Sequence, residues 1–181
     1  MKRTLAAAVA LMLASGASFA AGEKTVGGAA MYPNKTIVEN ASQSKDHTTL
    51  VAAVKAAGLA DTLSGKGPFT VFAPTNAAFA ALPQGAVDNL LKPENKAQLA
   101  KVLTSHVIPG KLDAKALMAE VTKGNGKAMR KTVEGENLTF TQSNGMLQVA
   151  DAQGHSAKVT IADVEQSNGV VHVVDKVLMP K

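Results

Sequence analysis

The chain has 181 residues, a formal net charge of +5, and no Cys or Trp. That length suits one packed domain, and the lack of Cys excludes a disulfide scaffold and any thiolate metal site. Its basic residues (Lys92, Lys96, Lys101, Lys111, Lys115, Lys123, Lys127, Arg130 and Lys131) are scattered without interleaved aromatics, so no nucleic-acid partner is expected.

Lys2 and Arg3, the apolar run Leu5–Leu13 and the small residues Ser18 and Ala20 form a secretory signal with cleavage after Ala20. The run is too short to cross a bilayer. Residues 1–20 are therefore expected to be removed and the protein exported, to the periplasm, the cell surface or beyond, with no membrane span. Loss of Lys2 and Arg3 lowers the formal charge from +5 to +3. The Gly/Ala-rich stretch 21–34 has no strong period and reads as a flexible leader. The domain proper is expected over 35–181.

Helices come first. Asp46 is expected to cap a helix with Leu50, Val51, Val54 and Leu59 at helical spacing, ending near Gly58. Gly65 to Pro68 is a loop, and Phe69–Ala73 is a buried strand. Short helices are expected over 77–82 and 86–91. Pro93 opens a longer one through Ser105, and Asp113 caps another reaching Val121. Strands follow over 129–133, 138–142, 146–150, 157–161 and 170–174. Gly135, Asn144-Gly145, Gly154 and Asn168-Gly169 separate them. Helices followed by strands predict an α+β domain.

The stretch "TVFAPTNAAFAALP" (Thr70 to Pro83) carries the sharpest signal. Pro74 ends a strand, because it has no N–H to give a ladder. Thr75 or Asn76 can accept the free amides of the next helix. Phe79 and Leu82 then face the core, and Pro83 stops the helix. Every residue has a mechanical use, and no G-x-S-x-G elbow or phosphate loop accompanies it. No catalytic residue and no enzyme activity are expected.

"TVFAPTNAAFAALP" resembles the first conserved box of the fasciclin domain family, and "NGVVHVVDKVLMP" (Asn168 to Pro180) resembles the second. Between them, "KVLTSHVIPGKL" (Lys101 to Leu112) is similar to the segment holding the family's Tyr-His pair. The resemblance implies a helical cluster packed on a β-sandwich or wedge, with the two boxes as neighbouring strands. It also implies a secreted or surface module for adhesion. The partner would be a protein or polysaccharide at the cell surface or matrix, met without a cofactor. Ser105 stands where the family has Tyr, beside His106 in its family position. A single domain offers one copy of a weak site, so a homodimer or dense display is expected. The rival reading is a periplasmic protein that binds a small apolar ligand.

The candidate site residues are Thr75, Asn76, Ser105 and His106, organising a partner surface. His106 is expected to be buried, with Thr75 or Asn76 as its hydrogen-bond partner. The four histidines (His47, His106, His155 and His172) show no metal-binding spacing, so no metal is expected. Alternation in its strand places His172 on the sheet surface. Met118, Met129 and Met146 are expected to fill the core.

Overall fold

The computed structural model describes residues 24–181. The signal and its cleavage point lie outside the described residues. Part of the expected leader is folded onto the domain. Lys24–Val26 (β1) and Ala29–Met31 (β2) pair as an antiparallel hairpin. Val26 and Met31 are buried in one cluster with Val164 and Val173. Two large apolar side chains five positions apart make no period, which is why composition hid the hairpin.

Ile37–Ala41 (α1) opens with a capping box. Thr36 Oγ1 accepts the Glu39 amide at 3.3 Å, and the Glu39 carboxylate accepts the Thr36 amide at 2.7 Å. The next helix does not start on Asp46. Ser44 caps a single 3₁₀ turn, Lys45–His47, by accepting the Asp46 amide at 3.3 Å. Thr48–Ala57 (α2) follows, and Gly58 ends it in the left-handed region at φ 72°, where a Cβ is disfavoured. Ala60–Ser64 (α3), Asn76–Ala80 (α4), Ala86–Leu90 (α5) and Lys96–Thr104 (α6) complete the cluster. Ala114–Lys123 (α7) starts where the sequence places it, with Asp113 accepting the Ala116 amide at 2.6 Å.

The main strands are Phe69–Pro74 (β3), Val107–Pro109 (β4), Ala128–Lys131 (β5), Asn137–Ser143 (β6), Met146–Ala150 (β7), Ser156–Gln166 (β8) and Gly169–Val174 (β9). They form one sheet in the order β4-β3-β9-β8-β7-β6-β5. Only the pairing of β3 with β9 is parallel. The two sequence boxes are thus neighbouring strands. Their pairing begins at a close crossing, where a Cβ on Gly169 would stand 2.0 Å from the Phe69 carbonyl oxygen. At the sheet's ends, the Val133 amide donates to the Val107 carbonyl at 2.8 Å, so the curled sheet nearly closes into a wedge. β8 makes the curl. Its register shifts twice between Val159 and Val164, so one end pairs with β7 and the other with β9.

β3 has a core on each face. Val71 and Ala73 pack into the helical cluster with Leu50, Val54, Phe79 and Leu103. Phe72 points the other way, into the wedge, with Phe140, Val149, Val174 and the α7 residues Leu117 and Val121. This is the α+β arrangement the sequence predicts.

Three side-chain expectations fail. His172 is fully buried, because β9 is a central strand and Phe72 stacks on its ring at 5.4 Å between centroids. Met129 and Met146 lie on the outer sheet face, 61% and 45% exposed. Met118 is partly buried against the wedge core, as expected of it.

Candidate functional site

The four candidate residues fall into two linked groups. The first is the corner after β3. Thr75 is extended (φ −73°, ψ 166°), and its Oγ1 accepts the Ala78 amide at 3.2 Å, which caps α4. Its own amide donates to the Val174 carbonyl at 3.3 Å and extends the β3–β9 pairing past Pro74. Asn76 is not the cap of α4. Its Oδ1 accepts the Thr49 amide at 3.0 Å and the Thr48 hydroxyl at 3.2 Å, and its Nδ2 donates to the Lys45 carbonyl at 2.8 Å. Asn76 therefore ties α4 to the start of α2.

The second group sits at the end of α6. Ser105 and His106 are 3% and 2% exposed. The Ser105 hydroxyl donates to the Val102 carbonyl at 2.6 Å. The His106 ring does not meet Thr75 or Asn76, contrary to the expectation from sequence. Its Nδ1 lies 2.7 Å from the Val102 carbonyl, and its Nε2 accepts the Leu178 amide at 2.9 Å. The strand before the corner meets the second group through backbone, where the Phe72 amide donates to the His106 carbonyl at 2.9 Å. Burial pushes the His106 imidazole down to about 4, against the Val102 carbonyl and the Asp151 charge, which both favour the proton.

Asp151 is a residue beside this site that the sequence reading does not single out, and its contacts are structural. Its side chain closes the turn after β7, where Oδ1 accepts the Gln153 and His155 amides, both at 2.9 Å. Oδ2 accepts the Met179 amide at 2.9 Å and faces His155 Nδ1 at 3.2 Å. The spacing Asp151-x-x-Gly154 carries a local signal, since Asp favours such turns. Nothing local signals the contact with Met179.

The remaining buried histidines are also held by backbone or Ser. His172 Nδ1 accepts the Asp163 amide at 3.2 Å, and Nε2 sits 2.8 Å from the Leu112 carbonyl. His47 Nδ1 lies 2.9 Å from Ser44 Oγ, while its Nε2 is buried without a partner. Both nitrogens of His106 and of His172 are engaged, so neither has a lone pair free for a metal. Among the described residues no group of three or more His, Asp or Glu is placed to hold one.

Two small pockets of about 30 Å³ each lie where the helical cluster meets the sheet. One is bounded by His47, Ile37 and Val173, the other by Val54, Leu63 and Leu103. A larger open groove of about 470 Å³ runs between α4 and the end of the chain. Ala78, Ala81, Leu82, Val177 and Met179 line it, with His155 and Lys176 among its polar residues.

The family model of the fasciclin domain matches residues 45–180. The chain belongs to the fasciclin domain family. Protein sll1483 of Synechocystis is 52% identical over 145 residues, covering 80% of this chain and 73% of that protein. The transforming growth factor-beta-induced protein ig-h3 of Sus scrofa is 36% identical over 149 residues, which cover 82% of this chain and 20% of ig-h3. A solved fasciclin domain pair from the insect cell adhesion molecule Fasciclin I superposes with a TM-score of 0.71 at 18% identity, over 80% of this chain and 51% of that one. This fasciclin domain shares the fold of the 51% of that pair it covers. Among its described residues no helix is long and apolar enough to cross a membrane.

Proposed function

We propose that this fasciclin domain is an exported, non-enzymatic interaction module that adheres to a protein at the cell surface or in the matrix. The observation that carries the reading is the groove beside α4. It is open to solvent, and its volume of about 470 Å³ is enough for one or two partner side chains. Thr75 caps the helix that forms one wall, and Asn76 anchors that helix to α2. His106 organises the opposite wall from beneath through the Leu178 amide, Ser105 is buried beside it on the Val102 carbonyl, and neither meets a partner itself.

The lining favours a protein over a polysaccharide. It is mostly Ala, Leu, Pro, Val and Met, and its one ring is the imidazole of His155, with no Phe, Tyr or Trp face for a sugar to stack on. The adhesive role of the insect molecule with this fold supports the same class of function. An apolar small ligand is supported less well: the two pockets of about 30 Å³ are far below the size of a ligand pocket, and the groove at α4, though large enough for one, is open to solvent and would leave much of a ligand uncovered.

The test uses the labelled mature domain on intact cells and on extracted matrix of the source organism. Monomeric and artificially tetramerised forms are compared. Weak single sites predict saturable retention that rises about a hundredfold or more with tetramerisation. Leu82→Glu, which charges the groove, should abolish it. Retention unaffected by Leu82→Glu, or a small molecule retained in native mass spectrometry, would overturn the reading.

A further inference from the structure

After β9 the chain runs from Asp175 to Lys181 with no helix or strand, yet Val177 and Leu178 are 5% and 1% exposed. Buried irregular backbone must find partners outside a ladder. Here side chains supply them. His106 Nε2 accepts the Leu178 amide at 2.9 Å, and Asp151 Oδ2 accepts the Met179 amide at 2.9 Å. Gln153 Nε2 donates to the Pro180 carbonyl at 2.7 Å. At the tip, Glu136 accepts the Lys181 amide at 3.1 Å and Lys101 Nζ donates to the Lys181 carbonyl at 2.8 Å. The segment is a strap, fastened by side chains of separate elements.

The fastening at Leu178 fixes the protonation of His106. An amide N–H only donates, so Nε2 must be the bare nitrogen. Nδ1 then carries the hydrogen and donates it to the Val102 carbonyl. A second proton could go only to Nε2, where it would face the Leu178 N–H, donor against donor. α6 offers the ring no charge at Val102, and β3 meets His106 through the Phe72 amide. Asp151 is the charged group that bears on the ring, and it favours the proton. His155 stands behind Asp151, while Glu136 and Lys101 hold the exposed far end of the strap.

We propose that residues 176–181 are an acid-released strap, opened when protonation of His106 expels the Leu178 amide while the β3–β9 pairing remains intact. The boundary follows from the bonding. Through Val174 the chain is held by two ladders, Asp175 is still tied to β8 by its amide on the Lys158 carbonyl at 3.2 Å, and beyond it side chains hold the chain. Burial of Val177 and Leu178 keeps the strap shut at neutral pH. Release bares the apolar bed of these two residues and removes the Val177–Met179 wall of the groove at α4. The inference concerns the strap itself and stands whether or not that groove binds a partner.

Amide hydrogen exchange on the whole domain tests it, from pH 7 to 4.5, with rates corrected for their intrinsic pH dependence. The Leu178 and Met179 amides should be less protected than those of β9 at every pH. Between about pH 6.5 and 4 their protection should fall about tenfold per unit, as uptake of one proton requires. His106→Gln, whose amide can donate to Val102 and accept from Leu178 without titrating, should flatten that fall. Equal protection of strap and β9 at every pH would overturn the proposal, as would an unchanged fall in His106→Gln. A fall abolished by Asp151→Asn and kept by His106→Gln would overturn the assignment to His106. If His106→Gln does not fold, NMR of the unmodified domain decides. The His106 ring and the Leu178 amide must then titrate with one midpoint, and two separate midpoints would overturn the proposal.

Discussion

Asn76 caps a helix that begins 28 positions before it. Its Oδ1 accepts the amide of Thr49 at 3.0 Å, in the first turn of α2. The residue preceding α2, His47, makes no side-chain cap of its own. The exposed ends of helices need such partners, and α2 takes its partner from the corner after β3. Asn76→Ala should therefore lower stability by about 1 kcal/mol, since it removes the acceptor of the Thr49 amide, while the exposed Lys45 carbonyl can turn to water. Asn76→Asp keeps the acceptor and adds favourable charge at a helix start, but it sets an oxygen where Nδ2 donates to the Lys45 carbonyl, so its loss should be smaller without vanishing. Urea denaturation of both variants measures the difference. Equal losses would refute the remote cap.

Thr75 allows a cleaner cap test, because its hydroxyl serves only α4. Thr75→Ala should cost about 1 kcal/mol, and Thr75→Ser should cost much less. Melting curves of the two variants would show this order. If Thr75→Ser were as unstable as Thr75→Ala, the hydroxyl would not be the stabilising group.

A third prediction concerns the crossing of β3 and β9. Gly169→Ala would place a Cβ 2.0 Å from the Phe69 carbonyl oxygen, which is backbone and cannot swing aside. The two central strands would have to separate. A loss of about 3 kcal/mol or more is expected, with much of the protein in the insoluble fraction. Gly145→Ala makes the control, since nothing lies within 4 Å of a Cβ there. Its cost comes only from φ 77° and should be near 1 kcal/mol.

Local chemistry was legible in the sequence, and remote pairing was not. The cap at Asp113, the choice of Thr75 or Asn76 at the start of α4 and the left-handed Gly58 each act within a few residues, and each could be read from residue type and position, though the structure decides for Thr75. The five-residue helix α1 and the hairpin β1–β2 were too short to show a period. His172 was misplaced because strand alternation says which residues share a face, while it cannot say that both faces are covered. The partner of His106 was misjudged for a related reason. Leu178 lies 72 positions away in a segment without secondary structure, and no pattern connects the two. Family resemblance supplied the pairing of the two boxes, which periodicity could not.

Acid should destabilise the whole domain, and the sign follows from the tautomers. Burial lowers the affinity of His47, His106 and His172 for a proton relative to water. The unfolded chain therefore binds more protons than the folded one below about pH 6.5, and stability falls as pH falls. For His106 the contribution is whole above 6.5 and is lost progressively down to about 4. That interval corresponds to about 3 kcal/mol for one proton. Urea midpoints of the unmodified domain and His106→Gln, measured from pH 7 to 4, isolate this share as the difference between the two curves. The curves should converge on the acid side, with His106→Gln losing less stability across the interval. Parallel curves would mean that the ring accepts its proton without cost. The hydrogen bond from Leu178 would then not hold His106 in its neutral form.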